Sequence, residues 1–310
     1  MAVLKIKKTL LAAKKESSYA SAATLAGTDS VLATEVSIEP VAATVLDRNT
    51  IDGKFGSRAF IQTNTHVSLT ATIEATPSGT AGQSPDYKDL LLGCGLIETS
   101  TASQNVFAPE TNLETADSLT IGVYIDGSLH KLTGARGSFT YQVDAGDTPK
   151  FVFNFQGLYN APSATTILTP TYSQLDPKVA NSTNTTAFQL HSYAGSLQSF
   201  SFVQNNNLYY SELASSSKKV RITDRASSGS VSLESVGLGT KNFYEIVNST
   251  ATGNLTLQHG QTAGNKITFT AGKTQLETIA QGENEGYQML DIGYRALPNS
   301  GNDEMELKFH

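Results

Sequence analysis

The 310-residue sequence has one cysteine, Cys94, and no tryptophan. A single thiol excludes an intramolecular disulfide framework and any zinc site built from several cysteines, so nothing here calls for an oxidising compartment. Cys94 reads as a small buried hydrophobe. Long apolar runs are also missing. No stretch approaches the roughly 18 residues of a membrane-spanning helix, and lysines interrupt the apolar residues of Met1–Lys15, unlike the core of a secretion signal. The expectation is folding in a cytoplasm. On that expectation the Asn-x-Ser/Thr triplets at Asn181, Asn184, Asn248 and Asn254 are polar loop residues, not glycosylation sites. Charge of one sign is scarce as well. The net charge is −6, with 12 basic against 16 acidic groups in residues 1–160 and 10 against 12 in residues 161–310. Neither half has the basic balance of a nucleic-acid reader.

Catalytic signatures are equally thin. None of His66, His130, His191, His259 and His310 has a second ligand-type residue at metal-binding spacing. Gly272-Lys273-Thr274 echoes the end of a phosphate-binding loop, but the glycine required five residues earlier is Ile267. Gly237-Leu238-Gly239 fails the dinucleotide fingerprint at Asn242, and no Gly-x-Ser-x-Gly elbow occurs. A glycosidase-type carboxylate pair has no sequence signal, because the acids sit in turns and at strand edges. The sequence reads as non-enzymatic, with no cofactor and no metal.

What is present is alternation. Apolar and polar residues interchange in short runs bounded by Gly, Pro, Asn and Asp, the pattern of half-buried antiparallel strands. It predicts strands at Val31–Glu39, His66–Thr76, Ser118–Asp126, Gly137–Val143 and Lys150–Tyr159. One helix interrupts them within Ser84–Gly95, with Ser84 as cap and Pro85 at its first position. The second half repeats the order: strands at Gly195–Gln204 and Ser230–Val236, a helical piece at Lys241–Val247, then strands at Asn254–His259, Lys266–Ala271 and Gly286–Ala296. The Ser/Thr/Asn-rich stretch Ala161–Thr186 suits a linker. The fold class is mainly β: two tandem related β-sandwich or barrel domains, each with a short flanking helix. Their bounds are 1–162 and 187–310, with a linker at 163–186.

Two long polar loops, about Pro40–Thr65 and Asn205–Ser228, separate predicted strands, and loops of that length usually have a task. The first mixes Asp47, Arg48, Asp52, Lys54 and Arg58 with Ile51, Phe55 and Phe60, a composition suited to docking on another protein subunit. The second carries Arg221, Asp224 and Arg225, and its alternating Val220 and Ile222 suggest an added strand or clasp. These loops supply the candidate assembly contacts: Asp47, Arg48, Ile51, Phe55, Arg58, Phe60, Arg221, Asp224 and Arg225.

Several segments spanning nearly the whole chain resemble the two-domain tail tube proteins of long, non-contractile phage tails. They are Lys7–Tyr19, Asp126–Phe139, Pro149–Tyr159, Val220–Arg225 with Gly229–Val231, His259–Asn265 and Leu297–Glu304. The resemblance implies a structural virion protein that polymerises into stacked rings, the conduit for DNA passage into the host. Three two-domain chains would form a ring with pseudo-six-fold symmetry; six chains would be the alternative. The implied partners are further copies of itself, the tape measure protein in the lumen, and the tail terminator and distal tail proteins at the ends. DNA is in transit only, and no membrane is involved. The long loops and an N-terminal arm would bridge successive rings, and an acidic lumen would let DNA slide. The location is the virion tail, after synthesis in the bacterial cytoplasm. A β-sandwich adhesin or carbohydrate-binding module is the competing reading, weakened by the absence of a read signal peptide and of clustered aromatics.

Overall fold

The structure, a computed structural model, describes residues 5–51 and 53–310. The chain is mainly β. The first half runs β1 (Thr9–Lys15), β2 (Ser30–Val31), β3 (Glu35–Asp47), β4 (Phe60–Glu74), α1 (Lys88–Gly93), β5 (Leu96–Ser100), β6 (Asn105–Pro109), β7 (Leu119–Ile125), β8 (Ser128–Asp144) and β9 (Lys150–Tyr159). After β10 (Ser163–Ala164), the second half runs β11 (Thr185–Leu190), β12 (Leu197–Val203), β13 (Asn206–Ser211), β14 (Lys219–Arg225), β15 (Ser228–Glu234), α2 (Phe243–Ser249), β16 (Thr252–His259), β17 (Ile267–Asn284), β18 (Tyr287–Ala296) and β19 (Glu306–Phe309).

Alternation drives these strands as the sequence implies. Val67, Leu69, Ala71 and Ile73 of β4 are buried, as are Phe151, Phe153 and Phe155 of β9, while the residues between them face away from the core. All pairings are antiparallel. In the first half neighbours follow the order β3-β4-β9-β8-β7-β1, and in the second β12-β15-β18-β17-β16-β11. The two orders match strand for strand, and a short helix follows the second hairpin strand in each. A β-bulge recurs at the same place: β7·β8 jumps from Leu119↔Ala135 to Ile121↔Leu132, and β16·β17 from Gly253↔Thr274 to Leu255↔Ala271. In β8 the bulge brings Gly134 to φ +58°, where a Cβ would lie 2.8 Å from the Tyr19 ring, so this turn of backbone requires glycine.

The halves meet at two seams. The C-terminal part of β8 pairs with β12, from Thr140↔Val203 to Asp144↔Ser199. β19 pairs with β17 of its own half and with β6 of the other. One buried apolar cluster runs through both halves. Rings interlock across the first seam, with Phe139–Phe202 at 5.9 Å, Tyr141–Phe200 at 5.9 Å and Tyr141–Phe269 at 6.4 Å.

The structure departs from the sequence expectations at several places. The first long loop is mostly paired strand: β3 and β4 remain paired, through register shifts on either side of Ala42, out to Asp47↔Phe60. The second is a hairpin, β13·β14. The helix near Ser84 starts at Lys88 instead, with Tyr87 at its cap position. Ser84 donates its hydroxyl to Glu98, and Pro85 opens a turn closed by Lys88 N to Pro85 O at 3.0 Å. The N-terminal segment from Thr9 is strand β1 paired with β7, not an arm; Met1–Leu4 lie outside the described residues. The linker is strapped to the first half: Gln174 Nε2 donates to Glu74 O at 3.0 Å, and Ser173 N to Asp86 Oδ2 at 2.9 Å.

Candidate assembly surfaces

Because β8 bridges β9 and β12, the halves share one continuous run of eight strands, β3-β4-β9-β8-β12-β15-β18-β17. One face of this sheet carries the aromatic core. The opposite face is lined with short polar side chains: Ser37, Ser68, Thr70, Thr72, Asn154, Thr140, Ser199, Ser201, Ser230, Ser232 and Thr278 are none of them buried. Acids dominate its charge. Glu35, Glu39, Glu74, Asp144, Glu234 and Asp291 share it with Lys150, Arg295 and Arg136; Lys150 is paired to Asp147 at 3.0 Å and Arg295 to Glu277, and Arg136 is buried beneath the β13·β14 hairpin. A sheet left uncovered on one face reads as polar and alternating, and this one is polar across both halves.

The β3·β4 hairpin extends past that sheet. Ile51 and Phe55, at its turn, are fully exposed, and Val41, Val45, Leu46, Phe60 and Ile61 are about half exposed. Arg58 organises the turn, donating to Lys54 O at 2.6 Å and Gly56 O at 3.2 Å. The structure thus gathers Asp47, Arg48, Ile51, Phe55, Arg58 and Phe60 on one apolar hairpin; Asp52 lies outside the described residues. Clustered exposed apolar residues of this kind mark contact surfaces.

The second hairpin behaves differently. At Gln204-Asn205 the chain leaves the sheet, with Asn205 at φ +54°, and β13·β14 folds down over the first half. Gln204 Nε2 and Asn206 Nδ2 donate to Cys94 O at 2.9 and 2.7 Å, and Asn206 Nδ2 also to Gly137 O at 2.8 Å. Val220 and Ile222 are buried. Val220 N donates to the Tyr19 hydroxyl at 2.6 Å, and the Arg136 guanidinium lies 5.2 Å from the Tyr19 ring centre. Burial raises the Tyr19 phenol above its usual range. Arg221 pairs with Glu114 at 2.5 Å and Arg225 with the buried Glu304, while Asp224 lines an adjoining groove. Sequence reasoning placed these three with the first loop's residues; the structure puts Arg221 and Arg225 in contacts within the chain. The residues it missed are the partners, Cys94 O, Tyr19 and Glu304, which lie far off in sequence and carry no local signal.

The groove beside Arg225, about 750 Å³, is lined by Glu110, Asp224, Glu277, Arg295 and Glu304; its two arginines are already paired with glutamates. Cys94 is buried and its thiol is pushed well up by that burial, the condition of an inert cysteine. His191 meets Thr274 Oγ1 at 3.2 Å and His259 meets Thr185 Oγ1 at 3.2 Å. Among the described residues no three His, Cys, Asp or Glu side chains gather as for a metal ion, and no helix is long and apolar enough to cross a membrane.

No curated protein matches the chain. A family profile does, described as phage tail tube protein and matched over residues 7–296, a span that takes in β1 through β18 and both halves of the sheet. The chain belongs to the phage tail tube protein family.

Proposed function

We propose that the chain is the repeating subunit of a phage tail tube and polymerises into stacked rings through which DNA passes. One observation carries this: an eight-stranded sheet whose core face is sealed and whose other face is polar, acidic and open outside the part that the β13·β14 hairpin covers. Turned to the lumen, that face would present small hydrogen-bonding groups and paired cations to a sliding polyanion, repelling it weakly without binding it. Residues 1–162 and 187–310 act as two similar domains, so three chains make a ring with pseudo-six-fold symmetry. The exposed β3·β4 hairpin, with Asp47, Arg48, Ile51, Phe55, Arg58 and Phe60, bridges successive rings. The tape measure protein occupies the lumen during assembly, and the tail terminator and distal tail proteins close the ends. The subunit is made in the bacterial cytoplasm and ends in the virion tail, a structural part with no catalytic role.

Negative-stain electron microscopy of the purified chain at rising concentration tests this reading. Hollow tubes, with rings of three-fold repeat and six similar densities, are expected. A particle that stays monomeric at every concentration overturns it.

A further inference from the structure

The seam inside the chain is a template for the joint between chains, and this step rests on the tube reading. β12 occupies in the second half the outer position that β3 occupies in the first, and β17 answers to β8. The shared bulge fixes the correspondence residue by residue, since it equates Ala135 with Thr274 and so Arg136 with Gln275. Arg136 pairs with Gln156 and Gln156 with Ser68, which pairs with Glu39. Gln275 pairs with Arg295 and Arg295 with Ser228, which pairs with Val203. Glu39 is therefore the counterpart of Val203. Along the other strand, Asn154 pairs with Ser138, and its counterpart Gly293 pairs with Thr278 after one extra bulged residue in β17. Thr140 thus answers to Ala280 and Asp144 to Asn284.

Within the chain Val203 pairs with Thr140 and Ser199 with Asp144. Among the described residues, the counterparts on β3 and on the distal part of β17 each have a sheet neighbour on one side only. We infer that in the ring β3 of one copy pairs antiparallel with β17 of the next, with Glu39 against Ala280, Ser37 against Gly282 and Glu35 against Asn284.

The side chains fit this register. On the polar face, Glu35 and Glu39 meet neutral or small residues, so no like charges stand directly opposed. On the core face, the half-buried Val36 and Ile38, already packed against the core, meet Glu283 and Gln281. The internal seam has Phe200 and Phe202 against Val143 and Tyr141 at the same positions, all buried. The two joints are therefore graded: an aromatic one fixed on folding, and a polar one that forms only in the ring. Charged side chains on an open edge strand are the usual guard against premature pairing, and Glu35, Glu39 and Glu283 provide them here.

Cross-linking reads the register directly. In the full chain, Glu39→Cys with Ala280→Cys places two Cβ atoms about 4.5–5.5 Å apart across the joint, close enough for a disulfide to form, while the native Cys94 stays buried and silent. Oxidation of assembled tubes is expected to convert most of the chain to a covalent trimer on a non-reducing gel. The pair Glu35→Cys with Asn284→Cys reads the same register at its other end, and Ser37→Cys with Ala280→Cys, offset by two residues, is expected to remain monomeric. Tubes in which neither matched pair cross-links, or in which the offset pair does, overturn this joint and leave the tube reading standing. A covalent dimer that grows no further also overturns it, because it signals a two-fold contact. Failure of the unsubstituted chain to form any ring sinks the tube reading itself, and the joint with it.

Discussion

Asn206 is buried, and its amide donates to two backbone carbonyls, those of Cys94 and Gly137. Truncation removes the donor to Gly137 O and one of the two donors to Cys94 O, which keeps Gln204, and a buried polar group left without a partner costs about 1–3 kcal/mol. Asn206→Ala is expected to lower stability by roughly 2 kcal/mol, seen as a shifted urea midpoint with an unchanged slope. The histidines make a second prediction. Burial lowers His191 and His259, with Lys241 beside His191 adding to its shift. Both are neutral in the fold, while the unfolded chain takes up protons near the ordinary value of about 6.5. Stability is then fully present above that pH and is lost as pH falls through it. The melting temperature should drop between about pH 7.5 and pH 5.5, and His259→Gln should flatten the drop; an unchanged profile would remove His259 from the account. The sequence pointed to a small buried hydrophobe at Cys94, and to structural roles in strands or turns for these histidines because no partner spacing surrounded them. It gave no sign of Asn206, whose acceptors are carbonyls 112 and 69 residues away.

The two hairpins separate what local pattern can and cannot tell. Both were read as long polar loops; both are paired strands, and they part ways at equivalent positions. In the first, the strand bulges between Glu39 and Ala42 and continues; in the second, Gln204-Asn205 breaks it and the hairpin turns back. The alternation of Val220 and Ile222 hinted at the clasp, because a strand with one buried face needs something to cover it. Ile51 and Phe55 were singled out for docking from their mix with charges, but Val45 and its neighbours gave no sign that strands β3 and β4 run on as a hairpin, since their exposed apolar residues do not alternate cleanly with polar ones. The strands recognised best, such as Lys150–Tyr159, are those buried within the chain. The free hairpin allows a clean test. Ile51→Ser with Phe55→Ser removes apolar groups that are fully exposed, so the subunit should keep its stability within about 0.5 kcal/mol. Tube length in electron micrographs should fall sharply. Tubes of normal length from this variant would remove the hairpin from ring stacking.

At the scale of the molecule, the sheet must reconcile two demands on one surface. Its core face must be sealed, which the ring stack from Phe139 to Phe269 achieves. On the proposed reading its other face must offer a polyanion nothing to hold, which excludes unpaired cations more strictly than it requires acids. The sequence showed only a mild excess of acid spread over both halves; the fold sorts six carboxylates onto one face and leaves the two cations that reach solvent there, Lys150 and Arg295, paired. Electrostatic attraction to a phosphate backbone grows with each unpaired cation and weakens with salt, so the arrangement is testable by reversing it. Ser68→Lys with Ser230→Lys sets one new cation on this face in each half, at positions that are not buried. Neither side chain enters the core, so tubes should assemble as before. In a filter-binding assay at low ionic strength, tubes of the unsubstituted chain should retain almost no DNA, while the lysine tubes should retain it and release it as salt rises. Two lysines placed instead on the hairpin, Ile51→Lys and Phe55→Lys, separate a lumen effect from mere added charge: in short assemblies of that variant any bound DNA should remain open to nuclease, whereas DNA held by the sheet face should be protected. Lysine tubes that bind no more DNA than the original would mean that this polar face does not line the channel.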